Sequence, residues 1–108
     1  METIGVKELM DKIESKKGEL LLFDARGDEA FEKGHIPHAK SVPETALRER
    51  VEGLVEKDRE ILVYSKDEDC PKSTNAARQL EQMGYRKVKR VPAGIEGWKN
   101  AGHETVVS

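Results

Sequence analysis

Residues 61–80 read ILVYSKDEDCPKSTNAARQL. The apolar run Ile61-Leu62-Val63-Tyr64 is unbroken, which marks a strand covered on both faces rather than one with a wet side. A polar loop, Ser65 to Lys72, follows it. Ser73 is a good N-cap, and Ala76, Ala77, Leu80 and Met83 then form one apolar helical stripe. Gly84 ends that helix. A buried strand that feeds a helix through a polar loop is the repeating unit of a parallel sheet.

The flanking sequence repeats the pattern. Upstream, Leu20-Leu21-Leu22-Phe23 is a second dense run, stopping at Asp24. Asp28-Glu29-Ala30-Phe31 opens a short helix closed by Gly34. His35-Ile36-Pro37 is extended, because Pro37 disfavours helix at Ile36. Ser41-Val42 is a brief strand closed by Pro43, and Ala46, Leu47, Val51, Leu54 and Val55 keep an amphipathic helical period. At the N-terminus Ile4 and Val6 alternate with polar neighbours as a short strand, and Leu9, Met10 and Ile13 predict a helix ending near Gly18. Downstream, Val88 and Val91 mark a last strand, and Ile95 and Trp98 a last helix before Gly102. The expected fold is α/β, a central parallel sheet of four to five strands flanked by helices on both faces. Leu20 to Phe23, Ile61 to Tyr64 and Lys87 to Val91 should lie in that sheet. One domain is expected across residues 1–108.

Composition narrows the function classes. Charged residues make up 37% of the chain, but the net charge is -2 with both signs interspersed. A basic stripe interleaved with aromatics is missing, so nucleic acid is not an expected partner. No apolar run could span a bilayer, and Met1 to Met10 has no signal-peptide core, so no membrane partner and a cytoplasmic location are expected. The single cysteine, Cys70, permits neither an internal disulfide nor a thiolate metal cluster. No metal and no cofactor is implied.

In an open parallel sheet, ligands bind beyond the carboxyl ends of the strands. Two such ends are polar here: Asp24-Ala25-Arg26, and the loop Ser65, Lys66, Asp67, Glu68, Asp69, Cys70, Pro71, Lys72 with Ser73 after it. Cys70 lies just before a helix N-terminus, where free N–H groups and the dipole favour a thiolate. Asp67, Glu68 and Asp69 oppose that effect, and Lys66 and Lys72 only partly offset them. Asp24 and Arg26 read as a loop-fixing ion pair beside the pocket more than as substrate contacts.

The stretch Leu22-Phe23-Asp24-Ala25-Arg26, then Phe31, then Gly34-His35-Ile36-Pro37-His38-Ala39-Lys40-Ser41-Val42-Pro43 resembles the first signature of the rhodanese-like family. Gly94-Ile95-Glu96-Gly97-Trp98-Lys99-Asn100-Ala101-Gly102 resembles the second, although His38 and Ala93 stand where that family has glycine. The resemblance implies the rhodanese-like fold and sulfur transfer through a cysteine persulfide. It also places Ser65 at the usual catalytic cysteine position and Cys70 at the second cysteine of a longer-loop subgroup. The family's frequent loop arginine has no counterpart between Ser65 and Ser73.

The leading expectation is therefore a sulfurtransferase or sulfur carrier. It would move sulfane sulfur from thiosulfate or a persulfide through a Cys70 persulfide to a small thiol or a protein acceptor. The alternative is a catalytically silent rhodanese module used in protein binding or regulation. A thiol redox role at Cys70-Pro71-Lys72-Ser73 lacks a partner cysteine. A cysteine phosphatase would need an arginine about six residues after the nucleophile, where Asn75 and Ala76 stand. Ser65 is not expected to be a nucleophile, since no histidine occurs between His38 and His103 to serve as its base. Ser65→Ala is accordingly expected to leave transfer nearly intact. His35 reads as a packed turn residue, Trp98 as a core aromatic and His103 as exposed.

Overall fold

The computed structural model describes residues 2–16 and 19–107. Five strands and five helices alternate along the chain: β1 (Glu2–Thr3), α1 (Val6–Lys16), β2 (Leu22–Asp24), α2 (Asp28–Lys33), β3 (Ala39–Ser41), α3 (Leu47–Arg50), β4 (Glu60–Tyr64), α4 (Lys72–Gln82), β5 (Lys87–Val91) and α5 (Gly94–Asn100). The strands form one sheet in the order β1-β5-β4-β2-β3, and every pairing is parallel. The expected α/β sheet is thus present with five strands.

The dense run of β4 occupies the central position. Ile61, Leu62, Val63 and Tyr64 have no exposed surface. Period-2 alternation sends them to opposite faces. Leu62 and Tyr64 pack with Leu22, Leu9, Ile13, Ile95 and Trp98, beneath α1 and α5. Ile61 and Val63 pack with Phe23, Leu47, Ala76, Ala77 and Leu80, beneath α3 and α4. Two helical layers are the physical reason that an uninterrupted apolar strand is stable here. No helix among the described residues is long and apolar enough to cross a membrane.

Several local expectations are corrected, among them the second strand, which runs Leu22–Asp24 and so leaves Leu20 and Leu21 before it and takes in Asp24. The first strand ends at Thr3 and Val6 begins α1, so alternation between Ile4 and Val6 was too short a signal. Gly18, the expected end of α1, lies outside the described residues. The helix expected from Ala46 to Val55 shortens to one turn at Leu47–Arg50. Gly53 adopts φ 81, which breaks the helical path, and Leu54 is left 74% exposed instead of joining the apolar stripe. Ser73 does not cap α4. The helix begins at Lys72 with Pro71 in the cap position, two residues earlier, and the Ser73 side chain is buried, where Oγ accepts from Arg90 Nε at 3.4 Å.

Candidate functional site

The site lies at the carboxyl end of the central strand. β4 ends at Tyr64, and Ser65 to Pro71 form the turn into α4. The first three N–H groups of α4, at Lys72, Ser73 and Thr74, have no intrahelical acceptor, as at any helix start. Cys70 sits half-buried immediately before them.

Two contacts shape this loop. Asp67 Oδ1 accepts the N–H groups of Asp69 and Cys70, each at 3.1 Å, closing a side-chain-to-backbone turn. The second contact comes from α5. Ile95 N–H donates to the Ser65 carbonyl and Glu96 N–H to the Lys66 carbonyl, both at 3.0 Å. The two peptides after the strand are therefore held by their oxygens from one side.

Three donors of the loop favour the Cys70 thiolate: the Lys72 N–H, the Ser65 hydroxyl and the Lys66 N–H. None of the three is in full hydrogen-bonding contact with the neutral thiol, which is a weak acceptor. Burial pushes the Cys70 thiol up, but these donors and the Lys72 charge outweigh it, and its pKa falls below the ordinary thiol value. Asp67 is occupied with backbone N–H groups, while Glu68 and Asp69 are exposed to solvent that screens them. A cleft of about 290 Å³ lined by Asp67, Glu68, Asp69 and Glu96 lies beside the loop, and Cys70 does not line it.

Asp24 and Arg26 bond to each other at the end of β2. The Asp24 carboxylate is fully buried. It accepts from the Arg26 backbone N–H at 2.9 Å and from Arg26 Nη2 at 2.7 Å. Arg26 Nη2 also donates to the Gly34 carbonyl at 2.7 Å, so the guanidinium ties β2 to the far end of α2. The link to the cysteine loop is through backbone: Lys72 Nζ donates to the Arg26 carbonyl at 3.2 Å.

Sequence reasoning missed two residues. Tyr64 Oη donates to Asp24 Oδ2 at 2.7 Å and accepts the Ile36 N–H at 3.1 Å. Burial and the Asp24 charge push its phenol well up, so it remains a donor. Pairing the two dense runs end to end would have found this contact, because Asp24 is the register partner of Tyr64. Gly94 is the other. It carries φ 62, and a Cβ there would meet the Ser65 and Lys66 backbone at 2.5–2.6 Å.

The histidines lie outside the loop. His35 Nδ1 bonds the Phe31 carbonyl at 2.9 Å and its ring stacks on Phe31. His103 is not simply exposed, since its ring packs on Trp98 with centroids 4.5 Å apart. Trp98 is buried, and its Nε1 donates to the Glu104 carbonyl at 2.8 Å.

Known proteins share this architecture. The chain is 36% identical over 101 residues to an HTH-type transcriptional regulator of Mycobacterium tuberculosis, covering 94% of this chain and 43% of that protein. It is 30% identical over 90 residues to the thiosulfate sulfurtransferase GlpE of Coxiella burnetii, covering 83% of this chain and 80% of that enzyme. The crystal structure of the BH2092 protein from Bacillus halodurans matches with a TM-score of 0.90 and 27% identity, over 98% of this chain and 77% of that one. The chain spans about half the length of two of its curated relatives, 43% and 49%. The family model described as Rhodanese-like domain matches residues 5–101, and the chain belongs to that family.

Proposed function

We propose that this chain carries sulfane sulfur on Cys70. The observation behind this reading is the place of Cys70, half-buried immediately before the start of α4, with its thiol pKa lowered by the Lys72 and Lys66 N–H groups and the Ser65 hydroxyl. Donors fixed in advance around a developing negative charge stabilise it without reorganisation. In the first step the Cys70 thiolate attacks the outer sulfur of thiosulfate. A Cys70 S–S bond forms, the S–SO₃ bond breaks, and sulfite leaves with the electron pair. In the second step a thiolate or cyanide attacks the terminal sulfur, and the Cys70 thiolate departs. Charge and atoms balance in both steps, and no outside oxidant is needed. A persulfide donor reacts in the same way, and the acceptor is a small thiol or a protein thiol. A cytoplasmic setting, where thiols stay reduced, suits this chemistry.

A silent binding or regulatory module is the second reading. Serine at the position where the family usually has its cysteine favours it, as does the match to a protein named as a transcriptional regulator.

Intact-mass measurement after incubation with thiosulfate tests the choice. The expected result is one added sulfur on the wild type and none on Cys70→Ser. No added sulfur on the wild type would favour the silent module, and sulfur transfer that persists in Cys70→Ser would overturn the Cys70 reading.

A further inference from the structure

We infer that the Ser65 hydroxyl is the side-chain donor that holds the anionic sulfur at Cys70, both the thiolate and the terminal sulfur of its persulfide. This rests on the reading of Cys70 as the sulfur-bearing residue.

Ser65 is 1% exposed, and among the described residues its Oγ is the buried side-chain polar atom left with no hydrogen-bond partner. The other buried polar side chains among the described residues are satisfied: Asp24 by Arg26 and Tyr64, Ser73 by Arg90, and His35 by the Phe31 carbonyl. An orphaned buried hydroxyl is destabilising, so its persistence calls for a physical reason. The residue is not loosely placed. Ile95 N–H holds its carbonyl at 3.0 Å, and Gly94 leaves no room behind it. Asp67 Oδ1 fixes the Cys70 N–H at 3.1 Å on the other side of the loop. The hydroxyl is thus buried without a partner at the start of the loop that carries Cys70, and it is among the groups that lower the Cys70 thiol pKa.

A thiolate is a stronger acceptor than a thiol, and a persulfide adds roughly 2 Å of reach together with a negative charge. Either species supplies the partner that Ser65 Oγ lacks. Serine keeps its proton throughout and only donates. It gains no role as a nucleophile, because no histidine occurs between His38 and His103. The orphaned hydroxyl nonetheless replaces the expectation of an inert side chain with a modest catalytic one.

The test compares wild type, Ser65→Ala and Cys70→Ser. Three quantities are measured: the pH midpoint of Cys70 alkylation by iodoacetamide, thiosulfate:cyanide turnover, and the melting temperature. In Ser65→Ala the alkylation midpoint should move up by about one pH unit, and kcat should fall roughly tenfold with KM within about twofold. The melting temperature should rise by roughly 4 °C, because the variant removes an unsatisfied buried group. A purely structural serine would give the opposite sign. An unchanged midpoint, or a lower melting temperature, overturns the Ser65 role. Alkylation requires no sulfur donor, so this outcome is separate from turnover that survives in Cys70→Ser, which overturns the Cys70 reading instead.

Discussion

Gly94 lies against Ser65 so closely that a Cβ on the glycine would stand 2.5 Å from the serine carbonyl oxygen. The start of α5 and the end of β4 are therefore in backbone contact, and the cradle around Cys70 depends on a residue 24 positions away in sequence. Neither the α5 N–H groups nor the loop carbonyls could meet if the glycine carried a side chain.

Gly94→Ala should consequently damage stability and chemistry together. The left-handed φ of 62 is strained for alanine, and the added methyl displaces the Ser65 and Lys66 peptides. Urea unfolding should show a loss on the order of 2–4 kcal/mol. Sulfur transfer by the folded fraction should drop at least tenfold on the order-of-magnitude view that misplaced donors are lost. Gly102→Ala makes the control: it also has a positive φ, 88, but no neighbour within 4 Å of its Cβ, so it should cost stability and leave transfer intact.

The three loop carboxylates should not behave alike. Asp67 closes the loop through two N–H groups. Asp67→Ala should therefore slow transfer even though it removes a negative charge. Glu68 and Asp69 are exposed, and neutralising both as Glu68→Gln and Asp69→Asn should speed thiosulfate turnover about two- to fivefold at low ionic strength. That gain should vanish in 0.5 M salt. Turnover measured across a salt series separates the two effects; faster turnover in Asp67→Ala would show that the turn is dispensable.

A third expectation concerns pH and stability. Glu60 begins the central strand and accepts from Lys12 and Lys89, each at 3.0 Å. Burial pushes its carboxyl up, but the two lysines prevail and its pKa falls below the ordinary value. A carboxylate with a depressed folded pKa contributes stability above its unfolded pKa and loses it as pH drops through the folded one. Glu60→Gln should therefore cost about 1 kcal/mol at neutral pH. Wild type and variant should converge as pH falls below the ordinary carboxylate range. Chemical denaturation at a series of pH values checks this, and a constant gap would locate the effect in packing instead of charge.

The sequence by itself determined the elements whose identity is local. The runs Leu20 to Phe23 and Ile61 to Tyr64 announce covered strands, since an apolar face without polar alternation has to be buried twice. The stripe of Ala76, Ala77 and Leu80 announces α4, and Cys70 is placed by counting residues between strand and helix. Even there, Gly53 ended α3 against a favourable periodicity, and α4 starts at Lys72, after Pro71, instead of beyond Ser73. Only the tertiary structure decided which atoms meet. The Gly94 contact with Ser65 and the bond from Tyr64 to Asp24 join segments 29 and 40 residues apart, and the burial that orphans the Ser65 hydroxyl follows from the same packing. Such contacts follow from strand register and from the packing of α5 on the β4 turn, and periodicity within one segment carries no information about the distance to another.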